Sequence, residues 1–165
     1  MTLFSQRLTT RIQKIDSLLC VGLDPHPEDL AEPAGSAAEA FCRDLIDATR
    51  DIALAYKPNS AFFEALGPEG LEALRNVIAS IPGEIPVILD VKRGDISSTA
   101  RAYAQAAFDT LGADAVTINP YLGRDAVQPF ASRAEKGVFL LCKTSNPGSK
   151  DLQDLPVVTN QGAVS

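Results

Sequence analysis

The chain has 165 residues, 45% apolar and 22% charged, a balance that excludes a disordered polypeptide and suits one domain with a buried core. A formal net charge of −6 excludes the broad basic surface that nucleic-acid binding needs, though a small anion could still sit in a local cationic pocket. No apolar run approaches the ~20 residues that span a bilayer, and three scattered cysteines with one histidine, His26, argue against a disulfide framework or a zinc site. A reduced, cytoplasmic setting is expected.

Phe4, Leu8, Ile12 and Ile15 recur at helical spacing in a segment without acids before Asp16. Arg7, Arg11 and Lys14 would also suit a transit peptide, but the periodicity favours a helix packed on a core. "SLLCVGLD" (17–24) predicts a buried strand ending in an acid, stopped by Pro25 and Pro27. Ser36 with Glu39 spells a capping box for a helix carrying Phe41, Leu45 and Ala48. Residues 52–57 form the second strand, halted by Pro58, and Leu71, Leu74 and Ile78 mark a helix closed by Gly83. "PVILDVK" (86–92) is the third strand. Ser97 or Ser98 can then cap a helix bearing Ala100, Tyr103, Ala107 and Leu111. "DAVTIN" (114–119) and "GVFLLCK" (137–143) complete five strands. Cys20 and Cys142, inside apolar strands, read as core packing. His26, between two prolines, reads as a loop residue.

Nearly continuous apolar strands separated by helices predict a parallel sheet covered by helices. A doubly wound sheet and a (β/α)8 barrel both fit, but no GxGxxG follows the first strand. Polar residues mark the C-terminal ends of the strands: Asp24, Lys57, Asp90 with Lys92, Asn119, and Lys143 with Ser145. In a barrel these ends converge on one mouth, which favours the α/β (β/α)8 TIM barrel. A closed barrel needs about 250 residues, so residues 1–165 are expected to be the N-terminal part of a single barrel domain, with about the first five βα units. Because the chain begins at Met1, the remaining strands are expected after Ser165.

The third strand ends in "VILDVKRGDISST" (87–99), with Asp90, Lys92 and Asp95 within six residues. If Leu89 and Val91 face the helices, alternation turns Asp90 and Lys92 into the barrel, where each buried charge needs a partner. Lys57 on the neighbouring strand can reach the same carboxylate, and Gly94 permits an unusual turn before Asp95. A structural ion-pair plug would explain the charges, but four alternating charges are a costly way to gain stability alone. Asp90 beside Lys92 favours the ammonium form, which suits a proton donor or a stabiliser of carbanion charge more than a nucleophile. Asp90 would also repel an anionic substrate group, and would do so less once that group left as carbon dioxide. By alternation Arg93 should point away from Asp90.

These residues closely resemble the orotidine 5′-phosphate decarboxylase family, in its longer bacterial branch. The resemblance runs in order through "VGLDP" (21–25), "YKPNSAFFE" (56–64), "LDVKRGDISST" (89–99), "TINPYLG" (117–123) and "KTSNPG" (143–148). It implies a (β/α)8 barrel, a homodimer, and a lyase that converts orotidine 5′-phosphate to UMP in pyrimidine synthesis without cofactor or metal. It further implies that Lys57, Asp90 and Lys92 act in one subunit, that Lys92 protonates C6, and that Asp95 reaches the partner's site. Asp24 and Lys57 would bind ribose hydroxyls, Thr99 the partner's phosphoribosyl group, and Ser145 the pyrimidine. The family's phosphate-gripping loop and arginine belong to its last strands, which these 165 residues lack, so the isolated chain is expected to be weakly active or inactive. Two alternatives stay open: a Mg²⁺-dependent sugar-phosphate decarboxylase or aldolase with a similar DxKxxD, and an inactive fragment that only associates with barrel subunits.

Overall fold

The computed structural model describes residues 2–159 and 162–164. The chain runs through α1 (Phe4–Ile15), β1 (Leu19–Leu23), α2 (Gly35–Thr49), β2 (Ala53–Pro58), the short α3 (Ser60–Glu64) and α4 (Gly67–Ser80). It continues through β3 (Ile88–Arg93), α5 (Ser97–Gln105), β4 (Ala115–Ile118), α6 (Arg124–Ala131), β5 (Gly137–Leu140) and α7 (Lys150–Gln153), ending in β6 (Val157–Thr159) and β7 (Gly162–Val164). β1 pairs in parallel with β2, and β3, β4 and β5 pair in parallel in that order. Parallel bridges Tyr56–Val87 and Asn59–Asp90, with the Tyr56 amide donating to the Pro86 carbonyl at 3.0 Å, join the two groups. The strands thus follow one another as an open arc of a barrel, with β1 and β5 at its edges. β6 and β7 form a separate antiparallel pair that the sequence patterns did not suggest.

The convex face of the arc carries Leu23, Tyr56, Leu89, Val116 and Ile118, packed on the helices through Cys42, Ile46, Leu74, Val77, Ala104 and Phe130. Tyr56 reaches this layer with its hydroxyl donating to the Ile46 carbonyl at 3.0 Å, so the buried phenol stays hydrogen-bonded. The concave face is layered. Its lower layer is Ala55, Ile88 and Ala115, against which α1 inserts Phe4. Gly137 belongs here for a steric reason: a Cβ would stand 2.5 Å from the Phe4 ring and 2.7 Å from Ala115. Arg11 of α1 is buried and donates to the carbonyls of Ala53 and Arg50, each at 2.7 Å, while Arg7 pairs with Asp114. The amphipathic segment at the N-terminus is therefore a helix that closes the lower end of the arc.

Several local expectations give way to tertiary packing. Only the end of β1 is buried, at Leu23: Leu18 just before the strand is 75% exposed and Leu19 and Cys20 are exposed too, because β1 is an edge strand. Cys142 is likewise exposed beyond β5, and the buried cysteine is Cys42, whose thiol is pushed up to about 12 by burial and the nearby Asp24 charge. The Ser36–Glu39 capping box does not form. α2 starts two residues earlier than a Ser36 cap would set it, with Ala34 as N-cap, and Glu39 instead accepts from Arg43 and from Asn76 of α4. Neither Ser97 nor Ser98 caps α5, whose N-cap is Ile96. Leu71 faces solvent, the buried stripe of α4 being Ala73, Leu74, Val77 and Ile78. β5 ends at Leu140, so Lys143 lies past the strand and pairs with Asp154.

Candidate active site

Above the lower layer, alternation places Lys57 two residues after Ala55, Asp90 two after Ile88 and Thr117 two after Ala115. The three meet on the concave face. Asp90 is the centre, its side chain only 10% exposed. Its Oδ1 accepts from Lys92 Nζ at 2.5 Å and from Thr117 Oγ1 at 2.7 Å, and its Oδ2 accepts from Lys57 Nζ at 3.3 Å. The lysines are wetter, Lys57 at 34% and Lys92 at 48% exposure, so their ammonium heads rim an opening while the carboxylate sits beneath them. Burial pushes the Asp90 carboxyl up. Hydrogen bonds from Lys92 and Thr117, with the charges of Lys57 and Lys92, outweigh that and hold it below its ordinary 3.8.

Lys92 reaches Asp90 by a different route from simple alternation. The β3–β4 register runs from Leu89–Val116 directly to Arg93–Ile118, so Asp90, Val91 and Lys92 together face Thr117 alone. Within this bulge Lys92 adopts a left-handed conformation, φ 45°, which costs a non-glycine residue about 1–2 kcal/mol. The amides of Val91 and Lys92, displaced from the ladder, both donate to Thr117 Oγ1 at 3.0 Å. Arg93 resumes the ladder and points outward as expected, pairing with Glu64 at 2.5 Å and lying over the Tyr103 ring. Gly94 is not the turn residue, since its φ is not positive. A Cβ there would stand 2.7 Å from the Asn119 carbonyl oxygen, so close backbone approach excludes a side chain.

The other residues singled out in the sequence divide. Asp24 directly follows β1, the strand that pairs with Lys57's strand β2, with Oδ1 buried and without a hydrogen-bond partner among the described residues. Asp95 does not join the lysines in its own chain; its Oδ1 accepts from the Ile96 amide at 2.7 Å. Thr99 is partly buried in the first turn of α5. Ser145 is exposed in the loop after β5, where the neighbouring Thr144 is held by Asn146 and Gln153. His26 sits in a loop, its ring 4.2 Å from that of Phe62. Thr117 was missed, although a threonine alternating with an interior alanine in "DAVTIN" was a visible signal. Among the described residues no three His, Cys, Asp or Glu side chains gather as a metal site requires.

The Orotidine 5'-phosphate decarboxylase / HUMPS family matches residues 17–163, a span that includes the bulged β3 and Lys57 of β2. The chain belongs to this family. A family relative, the orotidine 5′-phosphate decarboxylase of Herpetosiphon aurantiacus, is 53% identical over 157 residues, covering 93% of this chain and 58% of the relative. A crystal structure of a Toxoplasma gondii protein, assigned as an orotidine-monophosphate decarboxylase, superposes with TM-score 0.92 at 53% identity, over 98% of this chain and 55% of that one. The OMP decarboxylase of Leishmania donovani follows at TM-score 0.86 and 52% identity, over 95% and 60%. The chain thus spans a little over half the length of these relatives, and its open arc is the corresponding part of a TIM barrel.

Proposed function

We propose that this protein decarboxylates orotidine 5′-phosphate to UMP without a cofactor, a step of pyrimidine synthesis. The observation that carries this reading is the buried Asp90 carboxylate clamped between two ammonium groups. In the reaction the bond from C6 to the carboxylate carbon breaks, carbon dioxide leaves neutral, and its electron pair stays on C6. That pair lies in the ring plane, where the π system cannot delocalise it, so fixed positive charge and a ready proton are what a protein can offer. The Lys92 ammonium supplies both: it stabilises the developing carbanion, then transfers a proton to C6 and is reprotonated from water. Asp90 holds Lys92 in place and repels the substrate carboxylate, a repulsion that ends as carbon dioxide departs.

Lys57 and Asp24 bind ribose hydroxyls in this reading. The unpartnered Asp24 Oδ1 supports it, because a buried acceptor without a donor suits a ligand hydroxyl. Asp95 acts in the site of a second copy of a cytoplasmic homodimer, consistent with its having no lysine partner in its own chain. Thr99 steadies the phosphoribosyl group of that second site, and Ser145 contacts the pyrimidine. Residues 1–165 form the N-terminal part of one barrel domain, and alone they turn over weakly at most.

The deciding experiment is release of carbon dioxide from orotidine 5′-phosphate by a chain extended to the relatives' length, with and without EDTA. EDTA-insensitive release is expected. Metal-dependent turnover of a sugar phosphate, with orotidine 5′-phosphate untouched, would reject the proposal in favour of the Mg²⁺-dependent alternative.

A further inference from the structure

We infer that Thr117 is a positioning residue of the charge array, its hydroxyl locking the Asp90 carboxylate and the left-handed turn at Lys92 into one hydrogen-bonded unit. A threonine hydroxyl has one proton and two lone pairs. Here all three are used: the proton goes to Asp90 Oδ1 at 2.7 Å, and the lone pairs accept from the Val91 and Lys92 amides at 3.0 Å each. The hydroxyl cannot rotate without breaking one of these bonds. It also accepts amides that a regular ladder would give to backbone carbonyls, since the bulge leaves Asp90, Val91 and Lys92 opposite this one residue.

The arrangement answers two problems of the site with one group. The conformation at Lys92 is unfavourable for a side chain bearing a Cβ, so something must hold it. Asp90, with Lys57 and Lys92 pulling on its two oxygens, needs a further donor to fix the carboxylate plane. Thr117 makes no hydrogen bond to either ammonium group; its proton goes to Asp90 Oδ1. It acts through Asp90 and through the backbone of Lys92, setting where the ammonium stands relative to a reacting carbon. Displacements of about 1 Å in such groups can cost on the order of 10²-fold in rate.

The inference about turnover rests on the decarboxylase reading; the inference about geometry does not, and the two are measured separately. By NMR on the 165-residue chain, the Val91 and Lys92 amides should be protected from hydrogen exchange. Thr117→Val, which keeps the shape and loses the hydroxyl, should speed their exchange roughly tenfold or more and move the Asp90 carboxyl titration upward. Thr117→Ser should restore both. Unprotected amides in the unsubstituted chain would overturn the proposal even if the valine variant did not fold. So would a folded valine variant with unchanged exchange and titration.

In the preparation used for the decarboxylation assay, Thr117→Val should lower kcat roughly 10- to 100-fold with KM nearly unchanged, and Thr117→Ser should recover most of it. An unaltered kcat in the valine variant would refute the positioning role. Failure of every preparation to release carbon dioxide would count against the decarboxylase reading alone, because the exchange and titration measurements decide the role of Thr117 without turnover.

Discussion

Charge is held differently at the two ends of the concave face. At the lower end, Arg11 is buried and spends its donors on the backbone carbonyls of Ala53 and Arg50, Arg7 closes on Asp114, and Phe4 fills the space left by Ala55, Ala115 and Gly137. Each cation there is matched to an acceptor, and the layer is packed. At the upper end, Asp90 is nearly as buried as Arg11, but the lysines that answer it are one-third to one-half exposed and Asp24 keeps an acceptor unfilled. A hydrogen-bonded cation beside a packed apolar layer belongs to the framework of the fold. An array open on one side, with a strained residue in it, leaves charged groups that a bound molecule could still answer. In TIM barrels the C-terminal ends of the strands carry chemistry and the N-terminal ends carry stability, and here a packed layer and an open charged layer lie two residues apart on single strands.

Substitutions at the two ends should therefore separate turnover from stability. The largest effects are expected from one residue at each end. Lys92→Ala should reduce decarboxylation by about 10²–10⁴-fold while shifting the unfolding free energy by no more than about 1 kcal/mol, since Lys92 is half exposed. Near-normal turnover would remove Lys92 from the chemistry. Phe4→Ala should do the reverse, costing about 3–5 kcal/mol of stability in denaturant unfolding with kcat per folded molecule retained. A kcat that fell with stability intact would mean that the lower layer is coupled to the site.

Gly137→Ala tests the same lower layer more gently. The added methyl must displace the Phe4 ring, and a loss of about 1–3 kcal/mol is expected; a neutral result would show that α1 shifts freely. The smallest effect is a pH dependence at the upper end. Because folding depresses the Asp90 pKa, its ionised form contributes stability that is complete above the ordinary 3.8 and is lost as pH falls through the lower folded value. The gap in unfolding free energy between the unsubstituted chain and Asp90→Asn should stay constant near neutrality and close below pH 3.8. A gap that persisted in strong acid would contradict the ionised, lysine-clamped carboxylate.

How much of this was legible in the sequence varies by feature. The five parallel strands, the packed N-terminal helix and the meeting of Lys57 with Asp90 follow from apolar runs, helical periodicity and strand alternation, whereas Lys92 joins them through the bulge. Helix caps were less legible: Glu39 is drawn off by Asn76 of another helix, a competitor that local sequence does not reveal. Burial at β1 held at Leu23 and in part at Val21 and failed at its start, because an apolar run specifies that a strand wants covering and does not say whether its neighbour is there. Gly94 and Lys92 exchanged roles for a similar reason. The glycine is required by the approach of Asn119, and the unusual backbone conformation falls on a lysine that Thr117 holds from the next strand.

By itself the sequence determined which residues alternate onto the concave face and which charges could meet there, because side-chain direction along a strand has period two. Only the tertiary structure decided the bulge that sets three residues of β3 against Thr117, the burial of Asp90 below its lysines, and the separation of Asp95 from both. Those depend on register between strands nearly thirty residues apart in sequence, where packing against the helices and pairing of displaced amides outweigh any local preference.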